Sequence, residues 1–270
     1  MSAKAVGVVV PERPPGSGKR ASLGRFGYTF ASVLLGLGAW QLLSLRLPPL
    51  FLPSPAATGA AFLELARDGT LWESILASGA RILVGWGAGV AVGIPLGIFM
   101  GYFRPVRQLV DPYIEFFRFI PPIAFVTLAV IWLGPGESSK VALIFYTTVF
   151  IVTLNALAGT QAVSELRLRA AASLGAGPFT TLRTVIVPST VPFMVTGARI
   201  AMGNSFLTIV SAEIVAAQEG LGALIWNARN YSRTEWVFVG IITLGLLGFL
   251  FDRVLRLGAT RFLKRYGVTV

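Results

Sequence analysis

Neither cysteine nor histidine occurs anywhere in the 270 residues. Their absence removes thiolate nucleophiles, disulfides, Cys/His metal sites and imidazole general bases in one step. In such a chain the lack of cysteine carries no information about redox compartment. Charge is scarce as well. Asp, Glu, Lys and Arg make up 13% of the chain, where soluble domains carry about 25%. A soluble surface needs that charge, and a lipid-facing surface cannot hold it. Also missing is a G-x-x-x-x-G-K-[ST] loop, so the chain has no Walker-type cradle for phosphates. No constellation of acid/base or metal-binding residues marks a membrane enzyme.

What is abundant is apolar sequence, 54% of the chain. A hydrocarbon core about 30 Å thick needs about 20 helical residues to cross. Charge-poor runs at 26–45, 82–100, 120–133, 141–158, 191–217 and 236–251 predict an all-α integral membrane protein of about six transmembrane helices. The third run is short unless it continues from Phe116 and Phe117. A soluble all-α core would not need so many long runs without charge. Residues 1–25 are polar and rich in Pro, Gly and basic side chains, and read as a disordered cytosolic tail. The membrane domain then covers 26–265, with a short tail at 266–270. The first apolar run exceeds a signal-peptide core, and Arg46-Leu47-Pro48 offers no small-residue cleavage site, so it reads as a retained helix. Between 48 and 78, Ser54-Pro55 looks like an N-cap with Pro at the first helical position, and Gly69 like a stop. A surface helix is expected there.

The net charge of +11 would suggest nucleic acid in a soluble protein. In a membrane protein it reports orientation, and no nucleic-acid partner is expected. With the N-terminus inside, segments 1–25, 102–119, 160–190 and 252–270 hold sixteen of the 23 basic residues, and the outer segments hold five. That bias places both termini and the 160–190 loop in the cytoplasm.

Three features within the spans or beside them stand out. Gly85, Gly89, Gly93, Gly97 and Gly101 form one stripe, the small-xxx-small pattern of close helix packing, with Pro95 on another face. Asn204, Thr208 and Ser211 fall on one helical face, with Arg199 and Glu213 nearer the two ends. These five are candidates for a polar route favouring an anion. Equally, the hydroxyls could bond back to their own helix, Arg199 could pair internally, and Glu213 could be structural. Arg81 reads as an interfacial anchor. Third, Asp111, Glu115 and Arg118 precede Pro121-Pro122, giving either an ion-paired helix face or a hinge.

The 160–190 loop contains Arg169-Ala170-Ala171, then Gly175, then Val185-Ile186-Val187-Pro188. A short helix from about 164 to 174 with an Ala-rich face, a Gly175 stop and a second helix from 178 to 185 would form a compact projection suited to a partner's groove. At this point the chain resembles the inner-membrane permeases of binding-protein-dependent ATP-driven importers. Their cytoplasmic loop carries Glu-Ala-Ala, three residues, Gly, nine residues and Ile-x-Leu-Pro. Ala170, Ala171, Gly175, Val185, Val187 and Pro188 match, with Arg169 where the Glu usually stands.

The resemblance extends over Phe51-Leu52-Pro53-Ser54-Pro55, Arg118-Phe119-Ile120-Pro121-Pro122, Ile131-Trp132-Leu133-Gly134 and Ala212-Glu213-Ile214-Val215-Ala216-Ala217 with Gly220-Leu221-Gly222. These strings are similar to the branch importing taurine, aliphatic sulfonates, nitrate and bicarbonate, the taurine and sulfonate permeases most of all. It implies a type I importer permease (MetI-like) fold in the bacterial inner membrane. It implies a homodimer, two cytosolic ATPase subunits that hold ATP and Mg, and a periplasmic binding protein. The permease itself would hydrolyse nothing and carry no cofactor. A secondary transporter is the alternative, but no internal repeat supports it.

Overall fold

The computed structural model describes residues 18–263 and 266. They divide into two compact units, Met1–Pro55 and Ala56–Val270. In the first, α1 (Gly18–Ser44) covers the stretch expected to span first, and the Trp40 indole donates to the Pro53 carbonyl at 2.9 Å. Helix therefore begins inside the segment expected as a disordered tail. Ala21, Leu23 and Arg25 are good helix formers, and no Pro interrupts them. The rest of that tail lies outside the described residues.

Helix α2 (Pro55–Arg67) follows Ser54, belongs to the second unit from Ala56 onward, and is succeeded by Gly69 at φ +90°. Then follow α3 (Thr70–Tyr102), α4 (Arg104–Phe117), α5 (Pro122–Leu133) and α6 (Glu137–Gln161). The chain continues through α7 (Glu165–Ser173), α8 (Pro178–Thr181), α9 (Val187–Ala216), α10 (Leu221–Asn230) and α11 (Thr234–Phe262). No strand occurs among the described residues.

Among the described residues, four helical stretches are long and apolar enough to cross a membrane: α3, α6, Pro178–Ala216 and α11. A fifth span arises if α4 and α5, bent 101° at their junction, count as one broken span. The expected six thus resolve into four continuous spans and one broken one, with α1 helical where the first was expected. Helix α3 starts well ahead of the expected 82. Glu73, Ser74, Ser78 and Arg81 interrupt the hydropathy there without interrupting the helix.

The glycine stripe of α3 faces α6. A methyl group at Gly89 would fall 2.5 Å from Thr148 Cβ, and one at Gly85 2.7 Å from Ile144 Cβ. Gly93 meets Val149 and Val152, Gly97 meets Ala156, and Gly101 meets Thr160. Backbones this close gain dispersion contacts that lipid cannot match. On its other side α6 meets α9, where Thr148 and Ser205 hydroxyls lie 3.3 Å apart and Gly197 rests on Asn155. Helices α3 and α6 run parallel and α9 runs against both, which sorts the connections to two ends. Glu137, Arg81, Glu213 and the start of α10 share one end, while Tyr102 and the 164–188 segment share the other, joined by Tyr102 Oη to the Pro178 carbonyl at 3.2 Å.

Candidate functional site

The projection comes first. Ser164 precedes α7 in extended conformation, and Glu165 in the first turn suits the helix dipole. At the other end Gly175 takes φ +74°. Its N–H bonds the Ala172 carbonyl at 2.9 Å, and the Ala176 N–H bonds the Ala171 carbonyl at 3.0 Å. That is a Schellman closure, which needs a left-handed residue at Gly175. Arg169 pairs with Glu165 at 2.6 Å on the open surface, a contact worth at most about 1 kcal/mol. Leu174 is 88% exposed, and Leu166 and Phe179 also stand out in solvent. Beside α7 lies a cavity of 700 Å³ lined by Arg167, Ala170, Ala171, Val185 and Pro188.

The expected second short helix is not a separate element. Helix α8 runs through a π-helical turn, Leu182–Ile186, directly into α9, making one 39-residue stretch. Pro188 has no N–H to continue a regular ladder, and the wider turn ahead of it, closed by Val187 N–H to Leu182 O, absorbs the break. Val185, Val187 and Pro188 therefore sit at the root of a span.

The five route candidates on α9 separate. Arg199 donates twice to Asp252 on α11, at 2.8 and 3.1 Å, so its charge is matched within the fold. Thr208 bonds back to the Asn204 carbonyl at 3.0 Å and lies 3.4 Å from Thr147 Oγ1, while Ser211 is half-buried.

Glu213 is 0% exposed and is removed from any open route. It accepts from Ser78 Oγ at 2.8 Å, Arg81 Nη1 at 2.7 Å and the Gly222 N–H at 2.8 Å. The reading of Arg81 as an interfacial anchor is likewise corrected. It is 5% exposed and also binds Glu137 through Nε at 2.5 Å and Nη2 at 2.7 Å, and the Glu219 carbonyl at 2.7 Å. Gly220, at φ +125°, lies so close to the Glu213 carboxylate that a β-carbon would collide with it. The string from Glu213 to Gly222 thus encodes one feature, a buried carboxylate capping the positive end of α10. Its arginine lies 132 residues away, beyond the reach of local pattern. Nearby but outside the spans, Arg233 has its pKa raised, first by its hydrogen bond to Glu235 and further by Glu64.

The broken span holds the third group. Helix α4 ends at Phe117 and α5 begins at Pro122, so the chain is interrupted where the proline pair suggested a hinge. The Tyr146 hydroxyl donates to the Phe117 carbonyl at 2.5 Å and approaches that of Ile120 at 3.3 Å. Carbonyls freed by the break are thereby satisfied. Around it opens a cavity of 440 Å³ lined by Arg118, Pro122, Tyr146, Thr147, Leu154 and Asn204.

At 1.5 Å per residue, Tyr146 lies about 13 Å into α6, and Asn204 lies in the middle third of α9. Arg118 is therefore beside the centre of two spans, not in the cytoplasmic segment 102–119 to which charge counting assigned it. The ion-paired face expected from Asp111, Glu115 and Arg118 does not form. Asp111 faces Arg107 at 3.6 Å, and the Arg118 guanidinium lies 4.6 Å over the Phe119 ring.

Comparison with known proteins agrees with this geometry. Residues 93–264 match the family model described as binding-protein-dependent transport system inner membrane component. The chain is 41% identical over 223 residues to the taurine transport system permease protein TauC of Escherichia coli K12, covering 80% of this chain and 81% of that one. It is 38% identical over 236 residues to a probable ABC transporter permease protein of Brucella melitensis, covering 87% and 96%. In fold it is similar to an inward-facing crystal form of the MetNI methionine ABC transporter, with a TM-score of 0.64, 18% identity and coverage of 74% and 98%.

Proposed function

Since the chain belongs to the family of binding-protein-dependent transport-system inner membrane components, we propose that it is the membrane-spanning subunit that carries a small anion inward, driven by a separate ATPase. The anion is taurine, an alkanesulfonate, nitrate or a close analogue, the kinds of substrate named for its relatives. Two copies of the chain form the pathway, two cytosolic subunits bind ATP with Mg, and a periplasmic protein delivers the substrate. The observation that carries this reading is the α7 projection. A rigid helix ended by a Schellman closure presents small residues and exposed Leu174 beside an open cavity, in a chain with no nucleotide cradle of its own. Co-purification of the tagged chain with its partner ATPase is the test. Wild type should retain the ATPase, and Ala170→Asp should lose it, because Ala170 is exposed beside the cavity and a carboxylate there would be buried only against the partner. Equal retention by both overturns the docking assignment. Anion uptake without any ATPase would instead favour a secondary transporter.

A further inference from the structure

We propose that the cavity at the broken span is the anion-binding site of the route, with Arg118 supplying its positive charge. The proposal deepens the importer reading and rests on it. Its first support is a contrast in charge matching. Arg81 is held by Glu137 and Glu213, Lys140 by Glu137 at 3.0 Å, and Arg199 by Asp252. Arg118 makes no ion pair among the described residues. An ionisable side chain at span depth normally faces a partner or a water-filled path, and is functional by default.

Three further features fit. The Tyr146 hydroxyl already satisfies the carbonyls at the end of α4, so the guanidinium is not needed there. Asn204 lines the same cavity from α9, and its side-chain amide has no hydrogen-bond partner among the described residues. The volume of 440 Å³ suits a small ligand. Its lining is divided: Arg118, Asn204 and Thr147 offer polar groups, while Phe150, Ile151 and Leu154 are apolar. A compact oxyanion on a short aliphatic chain matches both halves, and the planar fork of Arg matches sulfonate or carboxylate oxygens.

The test uses the complete transporter in proteoliposomes with its ATPase and binding protein, and taurine and ethanesulfonate as probes. Arg118→Gln should lower the maximal uptake rate at least tenfold. The half-saturating concentration and the amount of bound ATPase should stay unchanged. Arg118→Lys, which keeps the charge, should retain several times more uptake than Arg118→Gln. Because the native chain has no cysteine, R118C adds a second readout. Positively charged aminoethyl methanethiosulfonate should restore its uptake, and the negatively charged sulfonatoethyl reagent should not. Wild-type uptake by Arg118→Gln, or equal recovery with both reagents, overturns the proposal. Failure of both Arg118→Gln and Arg118→Lys to assemble assigns Arg118 to structure and overturns it too. If the wild-type complex moves neither probe and binds no ATPase, the importer reading falls and takes this site with it.

Discussion

Gly87 and Gly97 lie on the same helix, yet a methyl group should affect them differently. At Gly97 it would lie 2.7 Å from the Ala156 β-carbon and against the α6 backbone, whereas at Gly87 nothing lies within 4 Å. Gly97→Ala should therefore destabilise by about 1–3 kcal/mol, since neither helix can give way. Gly87→Ala should stay within about 0.5 kcal/mol of wild type. Thermal unfolding of the two variants in detergent checks the pair, and a comparable loss at both would remove the stripe from the α3–α6 contact. The Arg81 cluster permits a second prediction at this scale. Arg81→Met leaves Glu213 enclosed without its cation, a loss of about 3–5 kcal/mol. Glu213→Gln keeps an acceptor for Ser78 and should cost less. The same unfolding assay ranks them, and the reverse order would contradict the network.

Helix α7 depends on how it ends. Gly175 adopts φ +74° with no atom within 4 Å of where a β-carbon would stand, so backbone strain alone demands glycine. Gly175→Val should cost roughly 1 kcal/mol or more by strain, with a branched side chain adding to it. The spans do not rest on this turn, so insertion should be normal. ATPase binding and uptake should fall together, measured by co-purification and transport. Normal binding by Gly175→Val would mean that the shape of the projection does not matter. The Gly175 stop, the approximate extent of the helix and its Ala-rich face were legible in the sequence because each is set by neighbours in the chain. The fate of residues 178–186 was not. Whether a short helix stands alone or joins the next span depends on how the chain passes Pro188, and a π-helical turn made the passage.

For the molecule as a whole, the two ends of the bundle gather Ser138 and Ser232 on one side and Ser164 on the other, all exposed. With the positive-inside bias, S138C and S232C in intact spheroplasts should react with an impermeant thiol reagent, and S164C should not. Labelling of S164C from outside would invert the topology. Composition, hydropathy and the small-xxx-small spacing were enough to establish a helical membrane bundle, its approximate spans and the α3 packing face. Each is a property of a single helix in lipid, where length, apolarity and the absence of side chains act locally. Only the tertiary structure decided which charges were already matched. Arg81 and Arg199 were answered by Glu213 and Asp252 from distant spans, and Arg118 was carried to mid-depth by a 101° bend. Pairing across helices depends on rotation and depth in three dimensions, and a linear pattern of charges records neither.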